Sequence, residues 1–367
     1  MRKILVVAAV VCVIFLLWVH RRIEARRQKA YETSRFAALQ PADLDNTIMV
    51  TLVGITDALV AAETIFALFN EARCPWALRV RLLHYVDDMD GHDLTGVLHQ
   101  DIASHYAQLC RSRSAHCFAD FVHIERRSRS LDHGPGTMLR HVMQHMYGKE
   151  RYILVLGVSS VPERNWDHAL LQQYALCRAR SPRAMLTTCP PELHDVTRLR
   201  AQAGPTYPQV TTMDTASGAP RLRAAPFVDS LRACMPTWFF SLRFSFADAA
   251  AWRVTDFDPP YELVPDADEF AIGAALWRDG WVLYTPMSVI FSVTPLQWTW
   301  PDTRPRESQR VQAVRRFRRT FDPDGSFATY MRLCGVDVAS VRVFTFATLG
   351  WSCADPSRAE RAVKDVI

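Results

Sequence analysis

The stretch Gly134–Asp167, GPGTMLRHVMQHMYGKERYILVLGVSSVPERNWD, decides the fold. Met138, Val142 and Met146 recur every four residues and predict a helix. A charged turn follows, then an unbroken apolar run of strand length, Tyr152–Leu156, and a loop that ends in Trp166-Asp167. Helix, strand and loop in that order suit a nucleotide-binding α/β core, in which ligands sit beyond the carboxyl ends of the strands. The loop after Leu156 is therefore the place to look for chemistry. It holds Gly157, Val158, Ser159 and Ser160, none of them charged.

The flanking sequence repeats the alternation. Upstream, Ile48–Ile55 is a near-continuous apolar strand, Asp57–Ala72 an amphipathic helix and Leu78–Val86 a second strand ending in Asp87-Asp88. A helix over Leu98–Cys110 and a strand over Cys117–Ile124 complete the first half. Downstream come a helix to about Ala179, a strand Ala184–Thr188 closed by Cys189-Pro190-Pro191, an aromatic strand Thr237–Phe246, a helix Asp268–Trp277 and strands within Trp281–Val293. The segment 201–223, rich in Gly, Pro, Thr and Ala, reads as loop or irregular strands, either a lid or a surface connection. A basic helix, Gln309–Arg319, and a small terminal module end the chain. The pattern predicts an α/β fold with a mostly parallel sheet flanked by helices.

The first 29 residues are different. Arg2 and Lys3 precede an apolar run, residues 4–19, and Arg21, Arg22, Arg26, Arg27 and Lys29 follow it. This is the pattern of an uncleaved single-pass membrane segment, since arginines occupy the place of a small-residue cleavage site. The secretory lumen is the favoured side for the body, and the basic flank after the span leaves a cytosol-facing body open. The organisation expected is a tail and anchor over 1–29, a stem over 30–46, a catalytic-type domain over 47–337 and an extension over 338–367.

Charge narrows the partners. Of 43 Lys+Arg and 38 Asp+Glu, residues 1–29 hold seven and one, which leaves 36 basic and 37 acidic residues in the body. A body so close to neutral gives no support for nucleic-acid binding. The eight cysteines after Cys12 show no metal-finger spacing. No GxGxxG follows the first strand, and GxxxxGK[ST], HExxH and GxSxG are absent, which disfavours dinucleotide dehydrogenases, P-loop NTPases, zincins and serine hydrolases.

Three groups of residues could carry chemistry. Asp268-Glu269 open an apolar helix beside an aromatic strand, where a carboxylate pair can orient or deprotonate a hydroxyl, and where a helix N-terminus favours acids in any case. Asp87-Asp88 end a parallel strand. Arg315, Arg316, Arg318 and Arg319 could meet a diphosphate, although arginines at all four positions of a helix cannot point one way. His141 and His145 have i, i+4 spacing open to a metal or to an ordinary helix surface.

Several stretches in order resemble the polypeptide N-acetylglucosaminyltransferases, which move GlcNAc from UDP-GlcNAc to a protein hydroxyl on a GT-A-type nucleotide-sugar fold. They are IMVTLVGITD from Ile48, the helix Gly134–Arg140, KERYILVL leading to NWD, AMLTTCPPEL, FDPPYELVPDADE, AALWRDGWVLYTP and CGVD. The resemblance implies a GT-A-like fold over most of 47–337 and a UDP-sugar and a polypeptide as partners. It implies Asp268 and Glu269 as the acidic pair facing the acceptor, and Asp57, Arg140, Gly157 and Ser159 at the donor. Trp166, Asp167, Trp277, Gly280 and Trp281 would be its framework. If the chain is active, the product would be an α-linkage to Ser, Thr or hydroxyproline.

The resemblance also implies a divalent cation, Mn2+ or Mg2+, held by an Asp-x-His after the central strand and by a later histidine. Those positions here are Gly157, Ser159 and Ser292, and the arginine of the first-strand loop is Thr56. Metal ligands are therefore missing. Two functions fit: a transferase in which a cationic side chain replaces the metal, or a catalytically inactive pseudo-glycosyltransferase serving as a binding or scaffold module.

Overall fold

The computed structural model describes residues 46–54, 58–86, 101–128, 134–191, 206–213, 220–226, 235–253, 264, 266–293, 304–320, 326–334, 336–337 and 342–343. All belong to one compact unit, Asn46–Ile367. The apolar run 4–19, Thr56, Asp57 and Asp87-Asp88 lie outside the described residues. Among the described residues, no helix is long and apolar enough to cross a membrane.

The first half follows the alternation. Strand β1 (Ile48–Val53) is buried at every residue, which is why its sequence is apolar except for Thr51. Helix α1 (Ala58–Glu71) lays Ala61, Ile65, Leu68 and Phe69 on the core, and β2 (Leu78–Val86) returns parallel to β1. Helix α2 (Ile102–Ser112), β3 (Val122–Ser128), α3 (Pro135–His145) and β4 (Tyr152–Gly157) follow. Next come β5 (Ser160–Pro162), α4 (Trp166–Arg180) and β6 (Ala184–Thr187). Strand β3 starts five residues later than its composition suggests. Phe118 stacks on Phe69 with centroids 5.0 Å apart and donates its N–H to Tyr106, so residues 117–121 turn before they extend.

The second half departs more. Within the segment that reads as loop or irregular strands, β7 (Thr206–Met213) and β8 (Pro220–Pro226) pair as an antiparallel hairpin with a register shift between Val210 and Thr212. The expected strand Thr237–Phe246 is broken into β9 (Met235–Thr237) and β10 (Phe244–Asp248) by a turn over 238–243. Buried backbone polar groups need partners, and this turn finds them in side chains. Thr187 Oγ1 accepts the Ser241 N–H at 2.9 Å, and Glu269 Oε1 accepts the Leu242 N–H at 2.6 Å. The remaining elements are α5 (Ala249–Arg253), α6 (Ala267–Arg278), β11 (Val282–Thr285), β12 (Ile290–Ser292), α7 (Arg304–Thr320), α8 (Ser326–Leu333), β13 (Val336–Asp337) and β14 (Arg342–Val343). Helix α7 begins five residues before the expected Gln309.

Eight strands form one sheet in the order β3-β2-β1-β4-β10-β6-β11-β9. Pairings β3/β2, β2/β1, β1/β4 and β6/β11 are parallel; β10 runs antiparallel between β4 and β6, and β9 antiparallel to β11. The fold is thus mixed α/β around a large, mostly parallel sheet, with one reversed strand at its centre. A large core surrounds this sheet, and a smaller one, including Leu222, Phe239, Phe270 and Tyr330, lies between α6, α8 and the hairpin.

Two side chains pin α4 to α1. The indole of Trp166 donates to the Leu68 carbonyl at 3.0 Å, and the buried Asp167 carboxylate accepts the N–H groups of Arg73 and Cys74, both at 2.7 Å. Asp167→Ala orphans two partly buried donors and is expected to cost roughly 2 kcal/mol, read as a lower urea midpoint at unchanged m-value. At the end of α6, Gly280 (φ 80°) donates to Trp277 O and Trp281 to Leu276 O, a Schellman stop whose left-handed residue favours glycine. The Trp281 indole closes the turn on Asp279 at 3.0 Å, and Trp277 packs on Tyr330 with centroids 5.9 Å apart.

Candidate functional site

The carboxyl ends of β1, β4 and β6 meet the 238–243 turn along one edge of the sheet. Val53 pairs with Gly157, Phe244 with Leu156 and Ser245 with Thr187. One step beyond the β4/β10 register, Gly157 donates its N–H to the Arg243 carbonyl at 3.2 Å. Facing residues of an antiparallel pair project to the same side of a sheet. Two steps beyond the β10/β6 pair Ser245↔Thr187, the same register brings Arg243 opposite Cys189, and the Arg243 Nη1 to Cys189 Sγ distance of 3.6 Å agrees. Gly157, Arg243 and Cys189 therefore form a row on one face.

Helix α6 stands over this row. Its first turn carries Asp268 and Glu269, behind Asp266 in the left-handed conformation (φ 62°). The two acids have different places. Glu269 is buried: Oε1 accepts the Ser241 hydroxyl at 3.0 Å and the Leu242 N–H at 2.6 Å, while the buried Oε2 has no hydrogen-bond partner among the described residues. Burial first, and the charge of Asp266 second, push its carboxyl up to about 8 against the pull of Arg243, so it is mostly neutral at pH 7. Asp268 is half-buried and lies against the first turn of α3: a Cβ built on Gly136 would stand 2.1 Å from its Oδ2. The expectation that both acids face an acceptor holds for one at most, because the bound oxygen of Glu269 is committed to the 238–243 turn.

Around Glu269 lies a polar cluster. Arg243 Nη1 donates to the Leu222 carbonyl at 2.9 Å, and its Nη2 stands 3.7 Å from Asp266 Oδ1. Asp266 Oδ2 accepts the Leu222 N–H at 3.2 Å and lies 3.9 Å from Arg221 Nη1. Burial opposes the Arg243 charge, and the nearby Asp266 carboxylate favours it. Burial also raises the Cys189 thiol, to about 11. The hairpin is tied to this cluster through Leu222, and Thr206 Oγ1 donates to the Cys189 carbonyl at 2.6 Å, so its described residues form a fixed wall.

The three positions at which the resemblance implies metal ligands do come together. Strand β12 pairs with β5 so that Ser292 faces Ser160, and Val293 donates to the Ser159 carbonyl at 2.9 Å. Their chemistry does not fit a divalent cation. Gly157 has no side chain, and a Cβ there would meet nothing within 4 Å among the described residues; Ser159 and Ser292 carry neutral hydroxyls. Hard cations take charged oxygen ligands. Among the described residues, no group of three His, Cys, Asp or Glu could hold a metal ion. His141 bonds Glu125 Oε2 at 2.9 Å and packs on His145 with ring centroids 4.5 Å apart, a surface arrangement braced by Arg127.

Arg140 lies on α3 with its Nε buried and unpartnered among the described residues. Arg315 and Arg316 of α7 are exposed. Sequence patterning does not single out Ser241 and Arg243, which lie in a segment that reads as plain strand, nor Cys189 and Asp266, which fall within the resembling stretches AMLTTCPPEL and FDPPYELVPDADE without a role of their own. The Ser and Arg that interrupt TWFFSLRFSF were the available signal.

Residues 47–322 match the Glycosyltransferase (GlcNAc) family, and the chain belongs to that family. Among solved structures, that of GalNAc-T7 with UDP, GalNAc and Mn2+ is similar at a TM-score of 0.51 and 9% identity, over 86% of this chain and 57% of that one. The chain thus spans little more than half the length of that relative. The mannosyltransferase PcManGT from Pyrobaculum calidifontis, with GDP-Man and Mn2+, aligns at a TM-score of 0.40 and 10% identity, over 87% of this chain and 80% of that one. No curated protein matches the sequence.

Proposed function

We propose that the chain transfers GlcNAc, or a related sugar, from a UDP-sugar to a hydroxyl of a polypeptide. The observation that carries this reading is the placement of the α6 acids over the carboxyl edge of β4, where an open α/β sheet takes its ligand. Membership of a GlcNAc-transferring family supports the sugar, and the fold shared with a structure holding UDP supports the nucleotide. In this scheme the neutral Glu269 positions the 238–243 turn and Asp268 orients the acceptor. The C1–O bond to the diphosphate breaks, the C1–O bond to the acceptor forms, and the hydroxyl proton passes to Asp268.

A second reading, a sugar-nucleotide-binding module without transfer, is favoured by the bare Gly157. Calorimetric titration of the full chain with UDP and UDP-GlcNAc, in EDTA and then in Mn2+, separates the two when paired with mass spectrometry of released UDP. The expected result is binding in EDTA that Mn2+ does not strengthen, with turnover. Binding without turnover selects the second reading. No binding in either buffer overturns both, and binding only with Mn2+ overturns the account of the donor set.

A further inference from the structure

Two cysteines that the candidate site does not use are brought together at the end of α2. Cys110 is buried in its last turn, and the chain reverses directly afterwards. Ala115 donates its N–H to the Cys110 carbonyl at 2.9 Å and Ser114 to the Arg111 carbonyl at 3.2 Å, with Ser114 in the left-handed conformation (φ 50°). This is a Schellman stop with serine in the place that favours glycine. The returning chain is then fixed on the same helix. The Phe118 N–H bonds the Tyr106 hydroxyl at 3.1 Å, and the Phe118 ring stacks on Phe69 and Phe121.

Tyr106 and Cys110 stand four residues apart on one helix face, so the bond to Phe118 delivers its neighbour Cys117 to that face. There the Cys110 side chain hydrogen-bonds with those of Cys117 and Tyr106. Burial, and after it the contact with Cys117, push the Cys110 thiol up to about 11. Both cysteines are thiols here. They differ in access: Cys110 is 3% exposed, whereas Cys117 is half-buried and follows the exposed His116. A reagent from solvent therefore meets Cys117 first. A disulfide forms where the backbone already brings two thiols together, and the turn after α2 does so.

We propose that Cys110 and Cys117 are a disulfide-forming pair that fastens the end of α2 to the entry of β3, the strand at one end of the eight-stranded sheet. The oxidant is a small disulfide such as oxidised glutathione. The Cys117 sulfur attacks one of its sulfurs, the S–S bond of the oxidant breaks, and one small thiol leaves with the Cys117 proton. The Cys110 sulfur then attacks Cys117 in the mixed disulfide, and the second small thiol leaves with the Cys110 proton. Two electrons pass from the cysteine pair to the oxidant. The pair is closed in an oxidising compartment and open in a reducing one.

The test maps the peptides of the full chain, folded, treated with oxidised glutathione, alkylated and digested with trypsin without reduction. Arg111 and Arg113 lie between the cysteines, so digestion leaves Leu82–Arg111 and Ser114–Arg126, one cysteine in each, joined only through the disulfide. The joined peptides are expected, and reduction is expected to separate them. Urea titration is expected to give oxidised wild type an unfolding constant at least about tenfold smaller than that of the reduced form, and Cys117→Ser no such difference. Folded wild type in which both cysteines are alkylated or carry glutathione overturns the proposal, as does either cysteine joined to a different one. Equal unfolding constants for oxidised and reduced wild type overturn the fastening, and a difference that survives Cys117→Ser assigns the effect to other cysteines and overturns it too. If Cys117→Ser does not fold, the wild-type peptide map decides alone.

Discussion

Glu269→Ala is expected to lower the free energy of unfolding by about 3 kcal/mol, by loss of two buried hydrogen bonds and creation of a cavity. The Ser241 hydroxyl and the Leu242 N–H both lose their acceptor, and neither can reach solvent. Little is recovered by removing a buried charge, because burial keeps the carboxyl mostly protonated at pH 7. Glu269→Gln keeps the accepting oxygen and replaces only Oε2, which has no partner among the described residues, so it is expected to stay within about 1 kcal/mol of wild type at pH 7.

The same residue sets a pH dependence. Its folded value, about 8, lies above the ordinary 4.5, so between these limits the folded state binds more protons than the unfolded one. Stability then falls as pH rises. The contribution is fully present below pH 4.5 and is lost as pH passes through about 8. Denaturant midpoints from pH 5 to pH 9 are expected to decline for wild type and to lose most of that slope in Glu269→Gln. A slope that survives the substitution intact would place the titrating group elsewhere.

How much of this was legible beforehand depended on the physical origin of each feature. Strands β1 and β4 are buried on both faces, so their apolar runs identify them without any other information. Helices α1 and α3 show their core faces in the same direct way. The broken strand was not legible, since what breaks TWFFSLRFSF is a carboxylate from α6 and a hydroxyl from β6, twenty-seven and fifty-four residues away. A turn held by distant side chains leaves no local composition signal. The hairpin 206–226 was hidden for the related reason that prolines and glycines suggested loop, while its partners Thr188 and Arg243 lie in other segments.

The site shows the same division. Asp268 and Glu269 were visible as a pair, but adjacent residues at a helix start point about 100° apart, and only packing decides which one is buried. That Gly157, Ser159 and Ser292 stand where the resemblance implies metal ligands was visible in the sequence, and the proximity of Ser159 and Ser292 comes from the β5/β12 pairing. Arg243 was invisible as a functional residue because its meaning lies in what it faces across β4 and β6, which no sequence window contains.

The last prediction concerns that pair directly. Under the proposed transfer, Asp268→Asn is expected to lower turnover by roughly 100-fold, the low end for loss of a group handling a proton. Gly136→Ala should do nearly the same without touching the carboxylate. Its methyl would stand 2.1 Å from Asp268 Oδ2 and 2.8 Å from Asp268 Cβ, so the acid must move, and the short distance to Cβ means that rotation of the carboxylate alone does not relieve the contact. Misplacement by an ångström is costly in a reaction that depends on orientation. Because both changes act through one group, the double variant is expected to be no worse than the more damaged single variant. Additive losses, near 10,000-fold in the product of two such effects, would show that Gly136 serves the reaction by a route other than Asp268. Equal melting temperatures for Asp268→Asn and wild type would separate the loss of chemistry from loss of fold. If Asp268→Asn keeps full turnover, Asp268 has no part in transfer, and the acceptor must be oriented by another group at the carboxyl edge of the sheet.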